Sequence, residues 1–335
     1  MYLQSSHIDY IRLALHVRTS GHQVLIKENL ERIANSLSSM QSVPLSQIFH
    51  SKNSYEIFMR LPLFSQFNYS SKNEETPHIV IQCSYKYETT SRYFITIECK
   101  GHPYTREQFF AVRLWLEYIL GFELFEIYKD KILVTKIDVA LNTNLALSNY
   151  LFDSSWSKKV ATFTSANGDI ETLYIQPKNK SLEICIYDRG AKIRNRGILK
   201  KLRSPSRIEF RFGKQKVLLS NYTTNNDSFH KAFVRLKIYD FSKVVDSELF
   251  NDDQLMALKS VGLKPYLQKA SKLEREKLRK KLKPFLCAFI KPSSSQKLWD
   301  EALRKIKYLD PSKNFKGDSA VRVRKEFVST YFITQ

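Results

Sequence analysis

Apolar and polar positions alternate in several short runs along this chain, and the alternation predicts strands. In Ile8–Val17, the side chains of Ile11, Leu13, Leu15 and Val17 share one face, while Tyr10, Arg12 and His16 share the other, the pattern of a half-buried strand. Tyr55–Leu61, His78–Lys86 and Arg92–Cys99 are further strand candidates, rich in Ile, Phe and Tyr, with the polar stretch Ser70–Pro77 as a loop among them. Lys131–Asn142 predicts a long strand with unlike faces: Leu133, Thr135, Ile137, Val139 and Leu141 on one, Val134, Lys136, Asp138, Ala140 and Asn142 on the other. Glu171–Gln176 and Leu182–Tyr187, separated by the polar turn Pro177–Lys180, predict a hairpin. Arg207–Phe212 alternates strictly, with Ile208, Phe210 and Phe212 inward and Arg207, Glu209 and Arg211 outward.

Helical spacing appears in Leu25–Leu37, through Leu30, Ile33 and Leu37, and most clearly in Arg106–Leu120. There Thr105 and Gln108 form a capping-box pair, Phe109, Val112, Leu116 and Ile119 make the core stripe, and Gly121 supplies the stop. A polar break at 220–228 precedes a helical pattern over Asp253–Ser260, Leu267–Phe289 and Gln296–Leu309, with PSSS at 292–295 as a linker or turn. The expected fold is α+β: a mainly antiparallel sheet with packed helices over residues 1–240, then a basic helical region over 241–335. That second region holds 21 basic and 11 acidic residues, which fits contact with DNA or with another copy of the chain.

Composition narrows the class. At 335 residues with 43% apolar content the chain can bury a large core. Its net charge of +21 repels itself unless a polyanion neutralises it, so nucleic acid is the expected partner. A membrane is not expected: no apolar run reaches 18 residues. The first 17 residues lack the charged, apolar and cleavage regions of a signal peptide, which predicts a cytoplasmic protein. Cys83, Cys99, Cys185 and Cys287 are scattered with no CxxC pair and read as buried, reduced thiols; the seven histidines show no metal-ligand spacing.

Charge peaks between Ala191 and Lys216, where ten Lys or Arg accompany a single carboxylate, Glu209. If the strands holding Asp138, Tyr187 and Glu209 are neighbours, the three converge. A tyrosine hydroxyl can attack phosphorus and form a phosphotyrosine, but with a free pKa near 10 it needs a base or cation beside it. Asp138 and Glu209 are candidate ligands for Mg²⁺ or Mn²⁺, which would polarise the phosphate. Arg189, Arg207 and Arg211 are candidates to hold flanking phosphates, with Lys192, Arg194, Arg196, Lys200, Lys201 and Arg203 as further candidate DNA contacts. The same alternation also describes an ordinary solvent-facing sheet, in which Asp138 and Glu209 pair with neighbouring cations and Tyr187 has no chemistry.

Five segments in order resemble the replication initiation factor family, the rolling-circle initiators of plasmids and filamentous phages with related relaxases. HIDYIRLAL resembles its opening strand, and FITIECKGHPY followed by the 106–120 helix resembles its strand, glycine turn and helix. LVTKIDVALNTN, ETLYIQPKNKSLEICIYDRGAKIR and SRIEFRF resemble three further strand motifs, so the likeness covers roughly residues 7–217. The resemblance implies a degenerate HUH-nuclease-like fold without the histidine pair, and a metal-dependent enzyme. Such an enzyme nicks one strand at an origin, stays joined to the 5′ end through tyrosine, and leaves a 3′-OH for rolling-circle replication. It implies Tyr187 as nucleophile, with Tyr174 as a fallback, and Asp138 and Glu209 as metal ligands. It also implies origin duplex and single-stranded DNA as partners, with a host helicase, a host polymerase and a homodimer as further expectations. The departures are an amide, Asn142 or Asn144, at the second acidic position, Lys136 for Arg, Arg189 for Lys and Gln176 for Gly. The alternatives are a non-catalytic origin- or single-strand-binding protein of the same fold, favoured by that amide, and a conjugative relaxase.

Overall fold

The computed structural model describes residues 3–41, 44–52, 55–63, 78–85, 93–100, 104–143, 146–154, 159–166, 168, 170–176, 181–194, 206–222, 228–287, 292–311, 313, 315 and 318–331. The strands are β1 (Leu3–Leu15), β2 (Phe49–Lys52), β3 (Tyr55–Pro62), β4 (His78–Tyr85), β5 (Ile95–Lys100), β6 (Leu133–Thr143), β7 (Tyr150–Ser154), β8 (Val160–Thr164), β9 (Ile170–Ile175), β10 (Leu182–Asp188), β11 (Ser206–Phe212), β12 (Val217–Leu218) and β13 (Leu236–Asp240). The fold is α+β with a large antiparallel sheet, in which hydrogen bonding orders the strands β2-β3-β4-β5-β1-β6-β11-β10-β9-β8; β12 also pairs with β6, and β7 pairs with β13 alone. The segments predicted as strands are strands, within a few residues at each end. By contact density the chain forms two compact units, one of Met1–His7, Asp138–Gly213 and Asp227–Glu301, the other of Ile8–Ile137, Lys214–Asn226 and Ala302–Gln335.

The second unit is organised around the helix Arg106–Tyr128, which opens on the expected capping box between Thr105 and Gln108. Gly121, at φ 71 and ψ 163, is non-helical and stops the first helical segment as expected; a second segment continues from this kink to Tyr128. The break is held from outside, because Asn29 Nδ2 donates to the Ile119 carbonyl at 3.0 Å and so satisfies a backbone acceptor at the kink. Trp115 is fully buried, donates to the Pro62 carbonyl at 2.6 Å and packs on Phe327 and Tyr331 of the helix Asp318–Tyr331. Trp115→Phe leaves that carbonyl without its partner, so unfolding by urea should show a loss of about 1–3 kcal/mol.

The first unit holds β7–β11, β13 and most of the basic helices. The stretch Leu267–Phe289 is not one helix. It divides into Leu263–Gln268, Lys272–Leu282 and the 3₁₀ turn Lys283–Phe285, because Ser271 and Glu274 start a new helix with their own capping box. PSSS is likewise the first turn of the helix Pro292–Ile306 rather than a linker, since proline is well suited to that position. Leu263, Leu267 and Leu282 from the divided stretch, with Leu258 of the helix Asp252–Val261, are buried against Leu151, Tyr239 and Phe241.

One buried carboxylate ties the helix Lys272–Leu282 to the two-stranded β7–β13 pair. Asp153 on β7, 2% exposed, accepts from Arg279 at 2.7 and 3.3 Å. Lys264 lies 3.7 Å away and donates to the Ser154 carbonyl at 2.7 Å. Burial lowers the Lys264 pKa, and Asp153 works in the opposite direction. Asp153→Asn keeps the shape but removes the countercharge of both cations. Urea unfolding should then show a loss of about 3 kcal/mol. No described helix is long and apolar enough to cross a membrane. Cys83, Cys99 and Cys185 are buried and Cys287 is half-buried, all as free thiols.

Candidate active site

Tyr187, Glu209 and their neighbours meet because β9, β10 and β11 are antiparallel and in a fixed register. Tyr187 stands opposite Arg207 and Thr172, Cys185 opposite Glu209 and Tyr174, and Glu183 opposite Arg211. The two-residue period of a strand puts all of these on one face. The other face carries Ile184, Ile186, Ile208 and Phe210, all within the core, with Phe210 against the Phe233 ring at 5.9 Å.

The polar face is not the outward, solvated face that strict alternation suggests. Glu209 is 4% exposed, and Tyr187 and Arg207 are each 7% exposed. Charges can be buried this far only when paired and hydrogen-bonded, and here they are. Tyr187 Oη donates to Glu209 Oε1 at 2.6 Å, the length of a charge-assisted O–H···O⁻ bond. Arg211 donates to Glu209 Oε2 through Nε at 3.0 Å and through its terminal nitrogen at 2.6 Å. Its other terminal nitrogen reaches Glu183 at 2.8 Å. Arg207 lies 3.8 Å from Glu209 Oε1. Burial works against the Arg211 charge, but Glu209, Cys185 and Glu183 outweigh it and raise its pKa.

The same geometry separates the two candidate tyrosines. Tyr174 lies under the Arg211 guanidinium, 5.7 Å from ring centre. Burial first, then Cys185, raises its phenol pKa above the ordinary value, and Arg211 only partly offsets this. Its side-chain partners are Cys185 and Arg211, and burial pushes that thiol up to about 12. Tyr187 alone of the two donates to a carboxylate within hydrogen-bond reach, the first requirement for a general base.

The remaining residues come from β6 and from the turn after β10. β6 neighbours β11 in the sheet and carries Asp138, which is 7% exposed, and Asn142. Asn142 Oδ1 accepts from Arg207 Nε at 3.0 Å and lies 3.5 Å from an Arg189 terminal nitrogen. Arg189 opens the short helix Arg189–Arg194, started by Asp188 Oδ1 accepting from the Ala191 N–H at 3.0 Å.

Glu209 Oε1 accepts from the Tyr187 hydroxyl and Oε2 from Arg211, so its charge is already met by cations and a donor within the protein. Among the described residues no cluster of three or more His, Cys, Asp or Glu could hold a metal ion. Asp138 is a buried strand residue, and Glu209 is the partner of Tyr187 and two arginines.

Of the expected site residues, Tyr187, Glu209, Arg189, Arg207 and Arg211 come together. Lys192 and Arg194 lie on the helix Arg189–Arg194, but their side chains fall outside the described residues, as do Arg196, Lys200, Lys201 and Arg203 entirely. The sequence alone did not show Cys185 standing opposite both Tyr174 and Glu209, or the gathering of two arginines on Asn142. The Cys185–Tyr174 pairing was available from the predicted hairpin, whereas the arginine contacts depend on β6 lying beside β11. No protein-family model and no curated protein matches this chain.

Proposed function

We propose that this protein cuts and rejoins a DNA strand through Tyr187, as an initiator of rolling-circle replication. The observation that carries the reading is the 2.6 Å bond from Tyr187 Oη to Glu209 Oε1, within reach of Arg207 and Arg211. On this reading Glu209 takes the phenolic proton as Tyr187 Oη attacks the phosphorus. The bond from phosphorus to O3′ breaks, and the proton on Glu209 passes to the departing O3′. The products are a 5′-phosphotyrosine and a free 3′-OH. The bond energy is kept in the tyrosyl ester, so the reverse reaction joins a strand without a further energy source. Arg211, with 29% of its side chain exposed, together with Arg189 and Arg207, counters the charge that builds on the phosphoryl oxygens. The proposed partner is therefore DNA, as the +21 charge also favours.

Tyr187 is 7% exposed, so on this reading a phosphodiester must open the polar face to reach Oη. The same burial favours a second reading, a DNA-binding protein of this fold in which the Tyr187–Glu209 bond only stabilises the sheet. Incubation with a pool of randomised single-stranded oligonucleotides, followed by denaturing electrophoresis, separates the two. A protein–DNA adduct stable to detergent is the expected result of cleavage; non-covalent binding without adduct is that of the second reading.

A further inference from the structure

Strand pairing sets one exposed aromatic ring in line with Tyr187. Arg207 stands opposite Tyr187, Tyr187 opposite Thr172, and Thr172 opposite Phe163 on β8. Residues directly opposite across antiparallel strands share a face, so all four lie in one row on the polar face. With neighbouring strands about 4.8 Å apart, two strand spacings put Phe163 roughly 10 Å from Tyr187 along that row, the reach of one extended nucleotide. Exposure rises along the row: Tyr187 is buried, Thr172 half-buried, and Phe163, on the edge strand, 59% exposed.

A single exposed apolar side chain carries no function by itself. Phe163 differs in where it stands and in how it is held. Its ring meets that of Tyr174 on β9 edge to face, at 78° with centroids 5.9 Å apart, a preferred geometry for two aromatic rings. The contact steadies the ring while most of its surface stays open to solvent.

Resting on the phosphodiester reading above, we propose that Phe163 is the stacking platform for an unpaired nucleobase next to the phosphate that Tyr187 attacks. Every base has a π face, so such a platform fixes the path of the strand across β8 and β9 without reading its sequence. It also selects single strands, because in a duplex the faces of each base are already stacked on its neighbours.

The test is fluorescence anisotropy across a salt series, with a randomised single-stranded oligonucleotide pool and a random-sequence duplex of the same length. Phe163→Ala should weaken single-strand binding roughly 5- to 150-fold, the scale of one lost base–aromatic stack, and leave duplex binding within about twofold. The slope of log affinity against log salt should not change, since a stack neutralises no phosphate. Phe163→Trp should keep or tighten single-strand binding. Phe163→Leu, which retains apolar bulk but has no π face, should fall with Phe163→Ala. Because Trp and Leu both fill the position on β8, their divergence separates stacking from a folding defect. Unchanged single-strand affinity in Phe163→Ala, an equal loss on single strand and duplex, or full affinity in Phe163→Leu, the mark of a generic apolar contact such as a protein partner would make, would overturn the platform. These outcomes are separable from failure of the cleavage reading. A single-strand loss in Phe163→Ala without any adduct from the wild-type protein leaves the platform standing and removes cleavage, whereas an adduct with no such loss does the reverse.

Discussion

Tyr187→Phe should abolish the covalent protein–DNA adduct while leaving single-strand binding within about twofold of wild type. The substitution removes one oxygen and keeps the ring, so β10 retains its packing between β9 and β11. Its cost is the hydrogen bond to Glu209, roughly 1–3 kcal/mol because a buried acceptor loses its donor; Arg211 still holds the other carboxylate oxygen. Binding survives because the phosphate contacts come from arginines and not from the phenol. Tyr174→Phe should leave the adduct at wild-type level, since burial and Cys185 raise that phenol and its side-chain partners are Cys185 and Arg211. Persistence of adduct in Tyr187→Phe, seen on a denaturing gel, would remove Tyr187 from the chemistry.

Glu209→Gln should have the largest combined effect. It keeps the side-chain shape but removes the negative charge that Arg211 meets at 2.6 Å and Arg207 at 3.8 Å. Breaking a buried ion pair from one side costs about 3–5 kcal/mol, and a lowering of the thermal midpoint by roughly 6–20 °C would follow at the usual 2–4 °C per kcal/mol. The base for Tyr187 is lost as well, so no adduct should form. Loss of folding and loss of chemistry are separated by the double variant Glu209→Gln with Arg211→Met. Removing Arg211 takes away one of the uncompensated charges, so thermal melting should recover in part while the adduct stays absent. Adduct at wild-type level in the refolded double variant would rule Glu209 out as the base.

Much of this arrangement was legible in the sequence. Strict alternation in Arg207–Phe212 and the hairpin pattern of Glu171–Gln176 with Leu182–Tyr187 marked the strands, and the short polar turn between 176 and 181 fits the observed antiparallel pairing of β9 with β10. Thr105 and Gln108 marked a helix start by a local rule that tertiary packing did not overturn. Alternation could not show that both faces of β10 and β11 are buried, because it reports a difference between faces and not what covers each. Glu209 and Arg211 therefore read as outward charges, when Glu209 is buried and Arg211, half-buried, links it to Glu183. The partnership of Asn142 with Arg207 spans 65 positions and depends on β6 lying beside β11, an adjacency no local pattern encodes. Only the strand pairing shows that Glu209 accepts from Tyr187 and Arg211.

The central claim, that Tyr187 is the residue that joins DNA, is tested most directly by mapping the adduct. Wild-type protein incubated with the oligonucleotide pool would be digested with nuclease and protease and read by mass spectrometry. A nucleotide attached to the peptide containing Tyr187 is the expected result. Attachment at Tyr174 or any other residue, or no attached nucleotide on a protein that binds the pool, would contradict it.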